Sequence, residues 1–269
     1  MTTDLVAQAA TYPVATELIP AQSLLEGRYE VRFARDEAEL EEALRLRFEV
    51  FNVELKEGLD ESWETGLDRD PFDAVCHHLL VIERDSGAVV GTYRCQTPGM
   101  AAAHRGLYSD LEFDLAGLPK DVLESAVEVG RACVAAEHRN TQVLFLLWKG
   151  LALYMSSNSL RFLFGCCSLT SQDAGEGLAV MRHLEAKGHV HEAIRIEPRP
   201  GFECYGPEDV ESLSWEGKVH IPKLFRIYLR HGAKVCGPPA IDRDFKTIDY
   251  LILFDVGAMD EKRIRTFFG

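Results

Sequence analysis

The spacing of hydrophobic and polar residues changes several times along the chain, and each change predicts an element. From Tyr29, "RYEVRFA" alternates with a period of two, as a half-buried strand does. Asp36 stands where a helix N-cap belongs. It precedes "DEAELEEALRLRFEVFNVEL", whose Leu40, Ala43, Leu44, Leu46 and Phe51 recur at helical spacing. Residues 56–75, rich in Gly and Asp, predict a loop. "HHLLVIERDSGAVVGTYRC" then predicts two strands joined at Asp85-Ser86-Gly87. A connector containing Pro98 and Pro119 leads to the strand "VEVGRACV". The apolar helix "TQVLFLLWKGLALYMSSNS" follows, then the buried strand "LRFLFGCCSL" and a helix near 174–187 that ends at Gly188. "KLFRIYLRHGA" reads as a last helix and "DYLILFDV" as a last strand.

Hairpin connections in the first half predict antiparallel pairing, whereas strand, helix, strand in the second half requires a crossover and parallel pairing. No Pro/Gly/Ser linker separates the halves. The expected fold is therefore α+β, a single domain over residues 28–269 with a mixed central sheet flanked by helices. Residues 1–27 precede it as an extension, either a mobile arm or a packed-on segment. They lack the basic start and apolar run of a secretory signal, and no stretch reaches the ~20 apolar residues of a membrane span. A cytoplasmic location is expected.

Composition narrows the chemistry. The chain has 269 residues, a formal charge of −14 and a pI near 5.1, which opposes binding to nucleic acid and favours a small cationic substrate. Seven cysteines, an odd number with no CxxC pair, predict reduced core residues. GxSxG, GxxxxGK[ST] and GxGxxG are all absent, so serine-hydrolase, P-loop and dinucleotide chemistry lose their usual support. His77-His78 and His189-Val190-His191 lack metal-binding context; they are expected at the surface or a sheet edge, with no metal site.

"VEVGR" asks more of a strand than packing. Simple alternation would send Glu128 and Arg131 to opposite faces. A bulge at Gly130 would return them to one face and leave backbone N–H groups unpaired, as an oxyanion from a thioester carbonyl requires. The same spacing also suits a structural Glu–Arg pair bonded to neighbouring strands.

Four short motifs occur in one order: "RFEVF" (Arg47 to Phe51), "DPFD" (Asp70 to Asp73), "VVGTYRC" (through Arg94) and "VEVGR" (Glu128 and Arg131). In these the sequence resembles the GNAT acyltransferases of the acyl-homoserine-lactone synthase and ornithine-lipid synthase branch, over roughly residues 29–255. Its tail, from Lys223 to Val256, is most similar to the hemolysin-like proteins that include ornithine N-acyltransferases. The resemblance implies a GNAT-like fold and transfer of a 3-hydroxyacyl chain from acyl carrier protein to the α-amine of ornithine, giving lyso-ornithine lipid. Lactone synthases commonly carry a Trp where this chain has Glu57, which weakens a lactone-signal reading. Other amine acceptors, such as glycine, and a non-catalytic membrane-active role are the alternatives.

Several residue roles follow from the resemblance. It places Arg47 and Phe51 over the substrate cleft and Arg94 in the same charged cluster, while Asp70 and Asp73 suit a cationic amine. Glu128 is the expected base, with Arg131 and Arg94 orienting it and the substrate. No bound cofactor is expected; the donor is the acyl-phosphopantetheine of acyl carrier protein. In "AAEHRNTQ" the usual pyrophosphate-binding turn has no glycine, so Arg139 and Asn140 are expected to hold one phosphodiester. Leu144, Phe145, Leu147 and Trp148 are candidates for an acyl tunnel. An acidic protein also needs a local basic surface to meet an acidic carrier. Lys223, Arg226 and Arg230 supply one at helical spacing, which could equally make peripheral contact with the inner membrane surface.

Overall fold

The computed structural model describes residues 12–139 and 141–260. Strands β1 (Leu24–Glu26) and β2 (Tyr29–Phe33) precede helix α1 (Glu37–Phe48), and the short helix α2 (Ser62–Thr65) follows. Strands β3 (His77–Glu83) and β4 (Val89–Gln96) form the expected hairpin. Two short helices, α3 (Pro98–Ala103) and α4 (Lys120–Glu124), lie between it and β5 (Ala126–Val134). Then come α5 (Thr141–Ser157), β6 (Phe162–Leu169), α6 (Ala174–Ala186), α7 (Lys223–His231), β7 (Lys234–Val235), β8 (Ala240–Asp242) and β9 (Thr247–Asp255).

Among the described residues, nine strands form one sheet in the order β1-β2-β3-β4-β5-β6-β9-β7, with β8 also paired to β9. The parallel neighbours are β5 and β6, joined across α5, and the other pairings are antiparallel. The mixed α+β sheet expected from the period changes is therefore present. Asp36 caps α1 by accepting the Glu39 N–H at 2.9 Å.

Side-chain alternation divides the sheet into two faces. Leu79, Val81, Tyr93, Val127 and Val129 point to the face covered by α5, α6 and α7. Leu80 and Ile82 point the other way, beneath Ala43 of α1. Ala126 and Phe164 also use that second face, where they meet Phe113, Leu115 and Val122 from the segment between β4 and β5. Helices on both faces explain why β3, β5, β6 and β9 read as near-continuous apolar runs.

Two expectations change, and the described residues of the extension take one of its two alternatives. The helix that begins at Glu37 continues past Phe48 as a π-helical turn over Glu49–Glu54, so its later side chains depart from α-helical spacing. The described part of the extension is packed on the domain: Leu24–Glu26 is an edge strand, and the Val14 carbonyl lies 2.7 Å from His77 Nε2. His77 and His78 are consequently buried rather than at a surface or edge, because residues 12–14 cover them. Burial pushes His77 down to about 4, the value of a neutral ring held between Tyr154 and a backbone carbonyl. The seven cysteines are free, and all but Cys166 are buried.

Candidate active site

The bulge in β5 is real and sits one residue beyond Gly130. Thr92 pairs with Cys133 and Arg94 with Gly130, so Tyr93 alone opposes both Arg131 and Ala132. Arg131 itself adopts φ 49°, a left-handed conformation that costs a non-glycine residue on the order of 1–2 kcal/mol. Gly130 supplies no such conformation; its flexibility is not what makes the bulge. The extra residue reverses the alternation and brings the Arg131 side chain to the face used by Glu128 and Arg94.

The opposite edge of β5 opens at the same level. β5 pairs with β6 from Ala126–Phe162 to Glu128–Phe164 and no further. A Cβ at Gly165 would fall 2.1 Å from the Val129 carbonyl oxygen, so only glycine lets β6 lie against β5 where the strands part. Backbone N–H groups on that edge beyond Glu128 have no ladder partner in β6. A cavity of about 310 Å³ occupies the opening, between Glu128 to Ala132 on one strand and Gly165 to Ser168 on the other.

This cavity passes from one face of the sheet to the other. On the α7 side Tyr93, Leu224, Phe225, Tyr228 and Ile252 line it, and the Tyr93 and Tyr228 hydroxyls share a 3.0 Å hydrogen bond. On the α1 side the lining is polar: Arg94, Gln96, Ser109, Glu128, Arg131 and Asp249. Phe51 borders the cavity as well, edge-on to Phe245 at 5.4 Å. An apolar passage and a polar chamber thus meet at the bulge.

Glu128 is 5% exposed. The Ser109 N–H donates to Oε1 at 2.6 Å and the Tyr108 N–H to Oε2 at 2.8 Å. Burial raises its carboxyl above the usual range, and the hydrogen bonds from Ser109 and Tyr108 and the Arg94 charge only partly offset that. A raised carboxyl with lone pairs to spare suits a general base. The arginines do not hold it; the backbone of the 3₁₀ turn Tyr108–Leu111 does.

Arg94 and Arg131 belong instead to a buried ion network. Arg47 bonds Asp68 at 2.8 Å and Asp73 at 2.6 Å; Arg94 bonds Asp70 at 2.6 Å and Asp73 at 2.9 Å; Arg131 bonds Asp70 at 3.1 Å. Burial alone would raise Asp70 and Asp73, yet Arg94 and Arg47 hold both below the usual carboxylate range. The carboxylates read from "DPFD" as sites for a cationic amine are already matched by guanidinium groups, and Arg47 lies beneath the cavity rather than on its wall. Three arginines and three aspartates balance, so the network anchors the wall. Arg131 leans on Phe245 at 4.2 Å and Tyr108 at 4.8 Å.

The expected donor residues are scattered. Arg139 is paired with Glu54 of the π turn and reaches the Val134 carbonyl at 3.0 Å. Asn140 lies outside the described residues. Lys223, Arg226 and Arg230 are exposed along the outer side of α7, whose inner side presents Phe225 and Tyr228 to the cavity. Leu144, Phe145, Leu147 and Trp148 do not line the cavity; Leu147 and Trp148 are buried core of α5, and the apolar wall is built by α7.

Residues that the motifs do not announce are Gln96, Tyr108, Ser109, Glu112, Asp242 and Asp249. Asp249 carries a signal, a lone charge inside an apolar strand. The turn at 108–112 carries none, since its role is played by backbone N–H groups.

Comparison with known proteins identifies the family. Residues 46–149 match the acetyltransferase (GNAT) domain. The L-ornithine N(alpha)-acyltransferase of Agrobacterium fabrum is 34% identical over 258 residues, covering 90% of this chain and 86% of that protein. Its namesake in Rhodobacter capsulatus is 33% identical over 244 residues, covering 87% and 92%. The solved AHL synthase LasI is 13% identical, covers 91% of this chain and 96% of its own, and gives a TM-score of 0.49, a distance at which no residue's role transfers. The chain belongs to the L-ornithine N(alpha)-acyltransferase family, acyltransferases built on the GNAT domain.

Proposed function

We propose that this chain transfers a 3-hydroxyacyl group from the phosphopantetheine thioester of acyl carrier protein to the α-amine of ornithine, giving lyso-ornithine lipid. The observation that carries the reading is the cavity itself, apolar beside α7 and polar beside Glu128, opening where β5 and β6 part. The named activity of the relatives supplies the acceptor.

In the reaction, Glu128 takes a proton from the α-ammonium, directly or through water, because only the free amine is nucleophilic. Its nitrogen attacks the thioester carbonyl, and the C=O electron pair moves to oxygen. Unpaired N–H groups along the β6-facing edge of β5, beyond Glu128, receive that oxyanion. Collapse breaks the C–S bond and forms the amide. The thiolate takes up one proton, and the second proton lost by the ammonium reaches solvent through Glu128. The ion network of Arg47, Arg94 and Arg131 keeps the bulge in shape. The carrier docks on the basic outer side of α7, beside the apolar mouth, and the same side is the candidate contact for an anionic bilayer when product leaves. The test is release of free thiol from acyl carrier protein on adding ornithine, with glycine and other amino acids as competing acceptors.

A further inference from the structure

Glu112 and Asp249 take no part in that chemistry, yet both are buried beside it: Asp249 lines the cavity, and Glu112, off the cavity wall, has its ligand atom within 4.8 Å of that of Asp249. Glu112 is 2% and Asp249 4% exposed. Thr247 donates to one Asp249 oxygen at 3.2 Å, the Ser168 hydroxyl also faces Asp249, and Glu112 and Asp249 face each other across a shared proton. Neither carboxylate has an ion-pair partner among the described residues, although buried carboxylates are rarely left without one. The groups facing them are the Asp242 carboxylate, the Cys166 thiol and, more distantly, the Arg131 guanidinium. Burial first, and repulsion from Asp249 and Asp242 next, raise Glu112 well above the carboxylate range, and burial likewise raises Asp249.

A second polar group in the same chamber is unpartnered. Gln96 is 1% exposed, stands opposite Glu128 across β4 and β5, lines the cavity, and leaves both its amide nitrogen and oxygen without partners. A buried donor and acceptor beside the base, and an acid on the cavity wall backed by a second acid, together fit a ligand with polar groups at both ends.

We propose that Glu112 and Asp249 form the subsite for a second, side-chain ammonium on the acceptor, while Gln96 faces its α-amino acid end. The inference rests on the reading of this cavity as the acyl-transfer site. The turn Tyr108–Leu111 sets the spacing: its Ser109 N–H holds Glu128, and Glu112 follows at its C-terminal end. A 3₁₀ turn advances about 2 Å per residue, so Ser109 and Glu112 are about 6 Å apart along it. The two amines of ornithine are five bonds apart, about 6 Å when extended. The Glu112, Cys166 and Asp249 ligand atoms lie within 4.8 Å of one another, a set that a metal ion would also accept, and the experiment separates the two ligands.

The experiment compares ornithine with norvaline, the same chain without its side-chain amine, on the wild type, Glu112→Gln and Asp249→Asn. The wild type should prefer ornithine, and each variant should raise the ornithine KM roughly 30-fold or more while leaving norvaline nearly unchanged. Equal use of both acceptors by the wild type, or variants that shift both equally, would overturn the subsite while leaving acyl transfer intact. A wild type that acylates neither would overturn the reading of the site, and the subsite with it. Loss of ornithine turnover on EDTA treatment, restored by Mn²⁺ or Zn²⁺, would assign the acids to a metal instead. Calorimetry on the wild type needs no variant to fold: in buffers of differing ionisation enthalpy, ornithine should displace a proton shared by the two acids. Absence of that release, or an equal release with norvaline, would also overturn it.

Discussion

Glu128 and Arg131, three residues apart on one strand, present their side chains to the same face of the sheet. The bulge of Arg131 and Ala132 against Tyr93 makes this possible. It places the candidate base and the ion network on the two sides of Tyr108, whose N–H binds Glu128 and whose ring receives Arg131.

Glu128→Gln removes the base and leaves the N–H of Ser109 or Tyr108 facing an amide NH2. Turnover should fall about 100-fold or more, with a stability loss limited to about 1–3 kcal/mol for the one unsatisfied donor, so that the variant stays folded. Because burial raises the Glu128 carboxyl, wild-type kcat/KM should decline on acidification through a pKa above that of an ordinary glutamate. Only the deprotonated group is active, so the acid limb should vanish in the residual activity of Glu128→Gln. An unchanged acid limb in the variant would assign it to another group.

Asp73→Asn is expected to act on stability. It leaves Arg47 and Arg94 buried with unbalanced charge, which should cost roughly 3–5 kcal/mol in denaturant unfolding. Asp73 is depressed in the folded state, so its contribution is complete above the unfolded aspartate pKa. It is lost only as pH falls through the lower folded value. Wild-type stability should therefore exceed that of the variant down to about pH 4. Equal stability of the two proteins at neutral pH would mean that the network is not holding the wall.

Glu112→Gln should have the opposite sign. A raised folded pKa stabilises the protein at low pH, and that contribution is lost as pH rises through the folded value. The variant, which carries no charge, should gain melting temperature relative to wild type as pH increases from acid to neutral. A constant difference across that range would show that Glu112 does not titrate there.

Much of this fold follows from period changes that survive burial. "RYEVRFA" alternates because one face of β2 is half-covered, and α5 reads as a helix because its length exceeds that of a strand. The π turn at Glu49–Glu54 is not legible: "EVFNVE" continues the apolar spacing of α1, and the extra backbone residue per turn leaves no mark on composition. Charge parity at Glu128 and Arg131 announces the bulge but points to the glycine between them, whereas the left-handed residue is Arg131. "DPFD" announces carboxylates without announcing that Arg47 and Arg94 neutralise them, since those pairings cross 21 or more residues of sequence.

Gly165→Ala tests the parting of the strands. Its Cβ would meet the Val129 carbonyl oxygen at 2.1 Å, so β6 must shift and the cavity must change width. Lower stability together with loss of thiol release is expected. An alanine variant with wild-type melting and turnover would mean that the two strands do not meet there.

Donor choice is tested on α7. Lys223→Glu with Arg226→Glu should raise the KM for acyl carrier protein several-fold, with the larger loss at low salt, and leave folding intact. Acyl carrier protein should also outperform acyl-coenzyme A bearing the same chain, since the turn before α5 has no glycine and its Arg139 is paired with Glu54. A KM and salt dependence unchanged in the variant would put the docking surface elsewhere.

The most direct measurement is mass spectrometry of the product formed by the purified protein from 3-hydroxyacyl carrier protein and ornithine. Nα-acylated ornithine should accumulate in step with free thiol, ahead of any glycine product, and should fall about 100-fold with Glu128→Gln. Thiol release without Nα-acylornithine, or full product formation by Glu128→Gln, would contradict acyl transfer to ornithine at this cavity.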